Sequence, residues 1–210
     1  MLTRNEKKEL LRKDIVEAAA VYSRQLAGRV FLYVVGDQYF EVSFRTDCFR
    51  HLTGVLTDLS AGSFYRKAYS GKLAGNQFYF DNTHPYRTAC RKASCLKRLP
   101  ELTTTFVCVL HNMHTLTFVY TLGVTNLEFT LGLTEAESST GKRFFLPRTL
   151  RVDDHSVERS ENPDDDIVDF IFRKSAAESI YKDLLVADHS KAVPLQVRHL
   201  IDASFYGETE

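Results

Sequence analysis

The chain has 210 residues, a length that suits one domain with terminal appendages, and its formal net charge is zero. An apolar fraction of 44% with 15 Phe and 10 Tyr is enough for a substantial core, whereas the balanced charge argues against a general binder of polyanions. No run of about 18 apolar residues is present, which argues against a membrane span, and the charged first residues lack the apolar segment of a secretory signal. We therefore expect a cytoplasmic protein that does not bind a membrane, in which the four cysteines are reduced thiols.

The clearest element of the first half is a helix over residues 3–27, where apolar side chains recur at helical spacing. Thr3 and Glu6 have the spacing of a capping box at its start, and Gly28 follows its end. The rest of the first half predicts, in order, hairpin strands over 30–35 and 38–45, a helix near 61–70, an extended piece at 78–81 and a basic helix over 88–99.

The second half is rich in Val, Phe, Thr and Leu and predicts mainly antiparallel strands. The predicted elements are strands over 104–111, 115–122 and 126–133 with a turn at HNMH (111–114), a polar loop over 135–142, an extended piece over 143–151, a strand over 167–172 and a helix over 175–185. Pro147 places the piece over 143–151 at a sheet edge or at a bulge. Residues 153–169 are strongly acidic.

Helices followed by consecutive strands define an α+β domain. We predict an N-terminal helix over 1–28, an α+β domain over 29–186 and a C-terminal tail over 187–210 in which the sequence pattern predicts no element.

The most informative stretch is 40–55, FEVSFRTDCFRHLTGV, in which an alternating strand runs into a short helical turn. Thr46 or Asp47 is the expected N-cap of this turn, and Gly54 is its expected left-handed C-cap. The stretch also brings two guanidinium groups, an imidazole and a hydroxyl close together in sequence, namely Arg45, Arg50, His51 and Thr53. Such a grouping can hold a phosphate, although a histidine at a helix end often serves only in packing.

These residue types are the ones that metal-free cleavage of a phosphodiester bond in RNA requires. A base takes the 2′-OH proton, an acid protonates the leaving 5′-oxygen, and cations or donors hold the charge that grows on phosphorus. His51 is the candidate acid or base, because an imidazole titrates near neutrality. The candidate phosphate ligands are the cations Arg45, Arg148, Arg173 and Lys174 and the hydroxyls of Thr53 and Thr149. Each cation is also consistent with an ordinary surface charge, and Thr149 with strand propensity alone.

The segment 84–98 is basic and contains no acidic residue. Its Arg91 and Lys92 are candidate RNA-binding residues, although the solvated face of a helix would have the same composition. His111 and His114 flank a predicted turn but lack the further ligands of a zinc site, so we predict neither a metal nor a cofactor.

Several short blocks of the chain resemble a phage-associated nuclease-like family. The blocks are FRHLTGV (49–55), GSFYRKAYSGKL (62–73), NLEFTLGL (126–133), FFLPRTL (144–150) and IFRKSAAESIY (171–181). The family is the polyvalent-protein subfamily grouped with ribonucleases of the barnase, EndoU, colicin and RelE type. The blocks follow the family's order over residues 30–182, with HLTG the most distinctive of them.

The resemblance implies N-terminal helices packed on a curved antiparallel sheet. It implies metal-independent cleavage of RNA that leaves a 2′,3′-cyclic phosphate, in a toxin or phage-conflict setting where an antitoxin or immunity protein is the partner. The residues that match family blocks are His51, Thr53, Arg148, Thr149 and Lys174. Arg45 and Arg173 are added on charge and proximity in sequence, whereas the basic segment, the acidic segment and the tail match no block.

Two other functions fit the same sequence. A non-catalytic module of a phage or mobile element would bind a partner through the first helix, whose Leu10, Leu11 and Ile15 form an apolar face. A nucleic-acid-binding regulator would instead use the basic segment as an exposed helix, and its affinity would fall steeply with salt. A catalytic role requires that His51 meet basic side chains from the later strands.

Overall fold

A computed structural model describes residues 2–115, 119–152 and 166–206. The helices are α1 (Arg4–Gln25), α2 (Phe49–Leu52), α3 (Ala61–Tyr69), α4 (Tyr86–Arg98) and α5 (Glu101–Thr104). The strands are β1 (Arg29–Val35), β2 (Gln38–Phe44), β3 (Cys108–His114), β4 (Val119–Thr125), β5 (Phe129–Glu137), β6 (Arg143–Val152), β7 (Phe170–Ser175) and β8 (Asp183–Ala187). Short 3-10 turns lie at Thr46–Cys48, Leu195–Val197 and Ala203–Phe205.

The strands form one eight-stranded sheet in the order β3-β4-β5-β6-β2-β1-β7-β8. Neighbouring strands are antiparallel except β2 and β6, which pair in parallel through Val42 and Phe145. This contact joins two antiparallel halves, so the sheet is mixed rather than purely antiparallel. The Val109 N–H donates to the Asp166 carbonyl, which ties the edge strand β3 to the segment before β7. The sheet is therefore curled into a half-barrel, and together with the helices it forms the expected α+β fold.

The helix α1 matches its prediction. Glu6 completes the capping box, because its carboxylate accepts a hydrogen bond from the Thr3 N–H at 2.7 Å. The apolar face of α1 is buried in the main core against α3, α4 and the sheet, and its buried residues are Leu11, Ile15, Ala18, Ala19 and Tyr22. The helix face that an interaction module would use to bind a partner, with the exception of Leu10, therefore packs inside this chain.

The hairpin of β1 and β2 and the corner after it also form, with one change at the corner. The 3-10 turn leads directly into α2, and neither Thr46 nor Asp47 caps a helix through its side chain. The predicted N-cap is wrong, because the Asp47 carboxylate instead accepts a hydrogen bond from the Arg45 guanidinium at 2.7 Å. Gly54 adopts a φ of +72°, as expected of a left-handed C-cap.

The strands of the second half lie further along the chain than predicted. Residues 101–104 form a helical turn after Pro100 rather than the start of a strand. The HNMH segment, predicted as a turn, belongs to β3, because Met113 and His114 pair with Tyr120 and Val119 of β4. The irregularity within it is confined to Asn112, which has a positive φ of 46°. Similarly, β5 continues to Glu137 and so covers the start of the predicted polar loop.

The C-terminal third departs most from the prediction. The strand predicted over 167–172 is β7, shifted by three residues, and the helix predicted over 175–185 is wrong. A tight turn, in which the Ser175 N–H donates to the Glu178 carboxylate, leads instead to β8. Pairing with β7 at the sheet edge therefore overrides the helical spacing of this segment. Residues 153–165 of the acidic segment lie outside the described ranges.

A second core covers the face of β1 and β7 that is turned away from the helices. It contains the sheet residues Leu32, Val34, Phe170 and Phe172, together with Tyr181, Val193, Val197 and Ile201. The segment predicted as a tail thus supplies apolar side chains to this core, and Tyr181 forms a parallel bridge with Ile201.

Candidate active site

His51 and Arg148 meet where the corner helix α2 packs on the strand β6. The Arg148 Nη1 atom lies 3.0 Å from the His51 Nε2 atom, although the two residues are far apart in sequence. Phe49 and Leu52 of α2 are buried in the main core, which fixes the helix against the sheet and directs His51 toward the strand. The structure therefore brings together an imidazole from the early corner and a cation from a late strand.

Arg148 reaches His51 because β6 contains a bulge. Thr149 pairs with Gly132 and Pro147 pairs with Leu133, so Arg148 is an extra residue without a partner in β5. A bulge turns a side chain away from the simple alternation of a strand and occurs often beside active sites. The prediction that Pro147 lies at an edge or bulge is confirmed, since a proline tolerates a position where ladder hydrogen bonding is interrupted.

The contact defines the protonation state of the imidazole. A guanidinium only donates hydrogen bonds, so the His51 Nε2 atom accepts and the ring is neutral with its proton on Nδ1. Burial, followed by the neighbouring cations Arg148 and Arg50, lowers the pKa of His51 to about 4, against the opposing effect of Asp47. At neutral pH the ring is therefore uncharged, and its only N–H proton is the one on Nδ1. It can accept a further proton but carries no acidic imidazolium proton.

Arg148 also lines a groove of about 470 Å³ between β4, β5 and β6. Tyr120 and Glu135 line the same groove, and Glu135 forms an ion pair with Arg143 at 3.3 Å. Sequence reasoning missed Tyr120 and Glu135 as site residues. The sequence pattern that could have identified them is strand alternation: Tyr120 is two residues from Leu122, and Glu135 is two residues from Leu133. Both therefore lie on the face of the sheet that carries the main core.

The two threonines of the predicted site have local structural contacts. The Thr53 hydroxyl is fully buried and donates to the Arg50 carbonyl at 2.8 Å, at the end of α2. Thr149 is also buried, and its methyl group lies over Gly132. Because Leu150 belongs to the main core, the side chain of the preceding Thr149 points to the opposite face of the sheet from His51.

Two of the predicted phosphate ligands are held by carboxylates. Arg45 forms an ion pair with Asp47 at 2.7 Å, next to the corner that carries His51. Arg173 forms a pair with Asp183 across β7 and β8, with both Nε and Nη2 within 2.9 Å of the same carboxylate oxygen.

Lys174 lies with the second core, apart from the groove. Its Nζ atom donates to the Ser179 carbonyl at 3.0 Å and sits 4.6 Å from the centre of the Tyr181 ring. The Tyr181 hydroxyl in turn donates to the buried carboxylate of Glu41 at 2.6 Å. Burial lowers the pKa of Lys174. Lys174 therefore belongs to a polar cluster on the face opposite His51.

The basic helix α4 runs beside the corner. The aliphatic stem of Lys92 packs against Gly54, leaving no room there for a side chain, and Arg91 is exposed on the same helix. The helix α4 contacts both α2 and β6, the two elements that carry His51 and Arg148.

Within the described residues, no helix is long and apolar enough to cross a membrane. The same residues contain no group of three or more His, Cys, Asp or Glu side chains placed to hold a metal ion.

A curled mixed sheet with helices over one face is an α+β fold, and this fold is consistent with the nuclease-like class. A family model described as phage-Barnase-EndoU-ColicinE5/D-RelE like nuclease4 matches residues 14–186. The chain belongs to this family, as the sequence blocks indicated, and membership indicates a nuclease whose substrate is nucleic acid. No curated protein and no solved structure matches the chain.

Proposed function

We propose that this protein is a metal-independent endoribonuclease that cleaves RNA by attack of the 2′-hydroxyl on the adjacent phosphate. The observation that supports this proposal best is the hydrogen bond from Arg148 to the Nε2 atom of His51 beside the groove. It pairs a neutral ring that accepts a proton with a cation that binds phosphate.

In the proposed reaction, the substrate phosphate draws the Arg148 guanidinium away from the His51 Nε2 atom, and this freed nitrogen takes the proton of the 2′-hydroxyl as the hydroxyl oxygen attacks phosphorus. The bond from phosphorus to the 5′-oxygen breaks, and a 2′,3′-cyclic phosphate forms. Arg148 stays beside the phosphate and stabilises the charge that develops on its non-bridging oxygens. The leaving 5′-oxygen takes up the proton of the imidazolium formed at His51, for which the hydroxyl of the groove residue Tyr120 is the candidate relay, whereas Glu135 is paired with Arg143 as a carboxylate and has no proton to donate.

The wider predicted set has a place in this proposal. Arg45 lies at the corner and Arg91 and Lys92 lie on α4, and in this proposal they would contact the RNA backbone on either side of the reacting phosphate. Thr53 would act by ending α2 and so holding His51 in place. A direct part for Thr149, Arg173 or Lys174 would require the substrate to reach beyond the groove.

The proposal is tested with the purified protein and a short RNA in buffer containing EDTA, with a DNA oligonucleotide of the same sequence as the second substrate. We expect cleavage of the RNA to a 2′,3′-cyclic phosphate and no cleavage of the DNA, which lacks the attacking hydroxyl. His51→Ala should reduce the rate by about 100- to 10,000-fold, the range of general acid–base catalysis, and Arg148→Ala by about 100- to 1,000-fold, the range for loss of one donor to the developing charge.

Matched substitutions elsewhere serve as controls. His189 is exposed, and Arg12 pairs with Glu9 on α1, so His189→Ala and Arg12→Ala should keep the rate of the native protein. Lys174→Ala tests the predicted site residue on the opposite face of the sheet. If this variant still cleaves RNA, Lys174 is not needed and the reaction takes place at the groove. Full cleavage by folded His51→Ala protein, or cleavage that EDTA abolishes, would refute the proposal.

The setting is also part of the proposal. The family is phage-related, and a ribonuclease without an inhibitor would damage the cell that makes it. We therefore include in the proposal a toxin or phage-conflict role, in which an antitoxin or immunity protein inhibits the enzyme in the cytoplasm. Growth arrest on expression of the native chain, but not of His51→Ala, would be the expected outcome.

A further inference from the structure

We propose that Gly132 and Thr149 are positioning residues, whose close contact across β5 and β6 holds the bulge that turns Arg148 toward His51. Their role in catalysis rests on the function proposed above, whereas the effect on the His51–Arg148 contact can be measured without any substrate.

The register of β6 shows why the bulge has to be held. Phe145, Leu150 and Val152 all pack on the main core, although Phe145 and Leu150 are separated by an odd number of positions. Regular alternation would place one of these two residues on the wrong face, and the extra residue Arg148 absorbs the difference. A loss of the bulge would therefore change the direction of the Arg148 side chain.

The contact at the base of the bulge is very close. A Cβ atom added to Gly132 would lie 2.6 Å from the Thr149 Cγ2 atom, so the absence of a side chain at 132 lets the two strands approach. Thr149 cannot easily give way, because it is β-branched and has little freedom about χ1, and it is buried. Gly132 has no positive φ, so its requirement is for space rather than for an unusual backbone conformation.

A second glycine on the same face provides the contrast. A Cβ atom added to Gly123 of β4 would lie 2.7 Å from the sulfur of Met113, which is the flexible end of a long side chain. Substitution there adds the same methyl group to the same sheet face and displaces Met113, which also lies beside Gly132, but it adds no atom opposite Thr149.

The test uses Gly132→Ala, with Gly123→Ala as the matched control, and follows the His51 ring protons by NMR as a function of pH. Asp47, Arg50 and Arg148 are the charged groups that act on this ring, and only Arg148 lies on the bulge. In Gly132→Ala we expect Arg148 to move away and the pKa of His51 to rise from about 4 toward its ordinary value of 6.5. Gly123→Ala should leave the pKa where it is in the native protein.

Cleavage gives the second readout. A displacement of about 1 Å at a reacting group can cost roughly 100-fold in rate, so kcat should fall in Gly132→Ala more than KM changes. The double variant Gly132→Ala with Thr149→Ser removes the opposing methyl group and should restore both the low pKa and the rate.

A folded Gly132→Ala protein with an unchanged pKa of His51 would overturn the proposal. If Gly132→Ala does not fold, Thr149→Gly removes the contact without adding volume, and an unchanged His51 pKa in that variant would overturn it equally. Absence of cleavage by the native protein would count against the proposed function alone, because the NMR readout does not depend on RNA.

Discussion

The imidazole of His51 is subject to two influences that act in the same direction. Burial disfavours the charged ring, and the guanidinium of Arg148, 3.0 Å away, repels the proton that would charge it. Binding of a phosphate would oppose both influences, since its negative charge neutralises Arg148 and favours the imidazolium. Under the proposed function, the ring is a neutral acceptor in the free protein and would become a stronger base when substrate binds.

This arrangement predicts the pH dependence of cleavage. Since kcat/KM reports ionisations of the free enzyme, its acid limb should have a midpoint near the His51 pKa of about 4 rather than near 6.5. The acid limb of kcat, which reports the complex with RNA, should lie at higher pH. Initial rates measured from pH 3.5 to 8 at low and at saturating RNA check both, and coincident limbs near pH 6.5 would contradict the assignment.

The same pKa shift has a consequence for stability. The folded protein binds the His51 proton more weakly than the unfolded chain does, so the neutral ring favours the folded state above pH 6.5. That contribution is lost as the pH falls from 6.5 toward 4.

At the residue scale the sequence identified members of the site more readily than their partners. His51 and Arg148 were each candidates because of their chemistry, but the bond between them depends on a bulge and on the packing of α2 on β6. Lys174 is an equally good candidate phosphate ligand by charge, yet the alternation of β7 places it beside Tyr181 on the other face of the sheet. Charge alone does not indicate which face a strand residue occupies.

At the scale of elements, local signals decided which predictions succeeded. The capping box of α1, the glycine after α2 and the hairpin turn are specified by residues adjacent in sequence, and all of them form. The helix predicted over 175–185 failed because its alternative, a strand at the sheet edge, depends on β7, whose pairing no local pattern reveals. The 3–4 residue shift of the middle strands likewise follows from tertiary pairing.

The burial of α1 leads to a prediction about stability. Ile15 is fully buried between α1 and the main core, whereas Leu10 on the same helix is 46% exposed. We expect Ile15→Ala to lower the free energy of unfolding by about 2–5 kcal/mol, because it leaves a cavity among packed side chains. Leu10→Ala, the matched control, should change it by less than about 0.5 kcal/mol.

Urea unfolding followed by circular dichroism measures both α1 variants. Equal small effects would mean that the apolar face of α1 is available to a partner, as the interaction-module alternative requires. A large effect for Ile15→Ala alone would leave that alternative without its main support.

At the scale of the whole molecule, the two faces of one sheet carry separate cores. The family match ends at residue 186, but the second core continues to Ile201 and relies on apolar side chains from the last described segment. Asp169 links this segment to the hairpin, because its buried carboxylate accepts hydrogen bonds from the Gly36 N–H at 2.8 Å and from Lys191 at 2.6 Å. Because β1 and β7 contribute to both cores, we expect the two faces to unfold together.

Ile201→Ala tests this expectation, with Leu195→Ala as the control, since Ile201 is 3% exposed and Leu195 is 72% exposed. Loss of the buried side chain should lower the free energy of unfolding by about 2–5 kcal/mol, and the control should be nearly neutral. The decisive measurement is whether near-ultraviolet and far-ultraviolet circular dichroism give one coincident urea transition in Ile201→Ala. A separate early transition would show that the C-terminal segment is an independent appendage, whereas a single shifted transition would show that the half-barrel requires it as much as it requires α1.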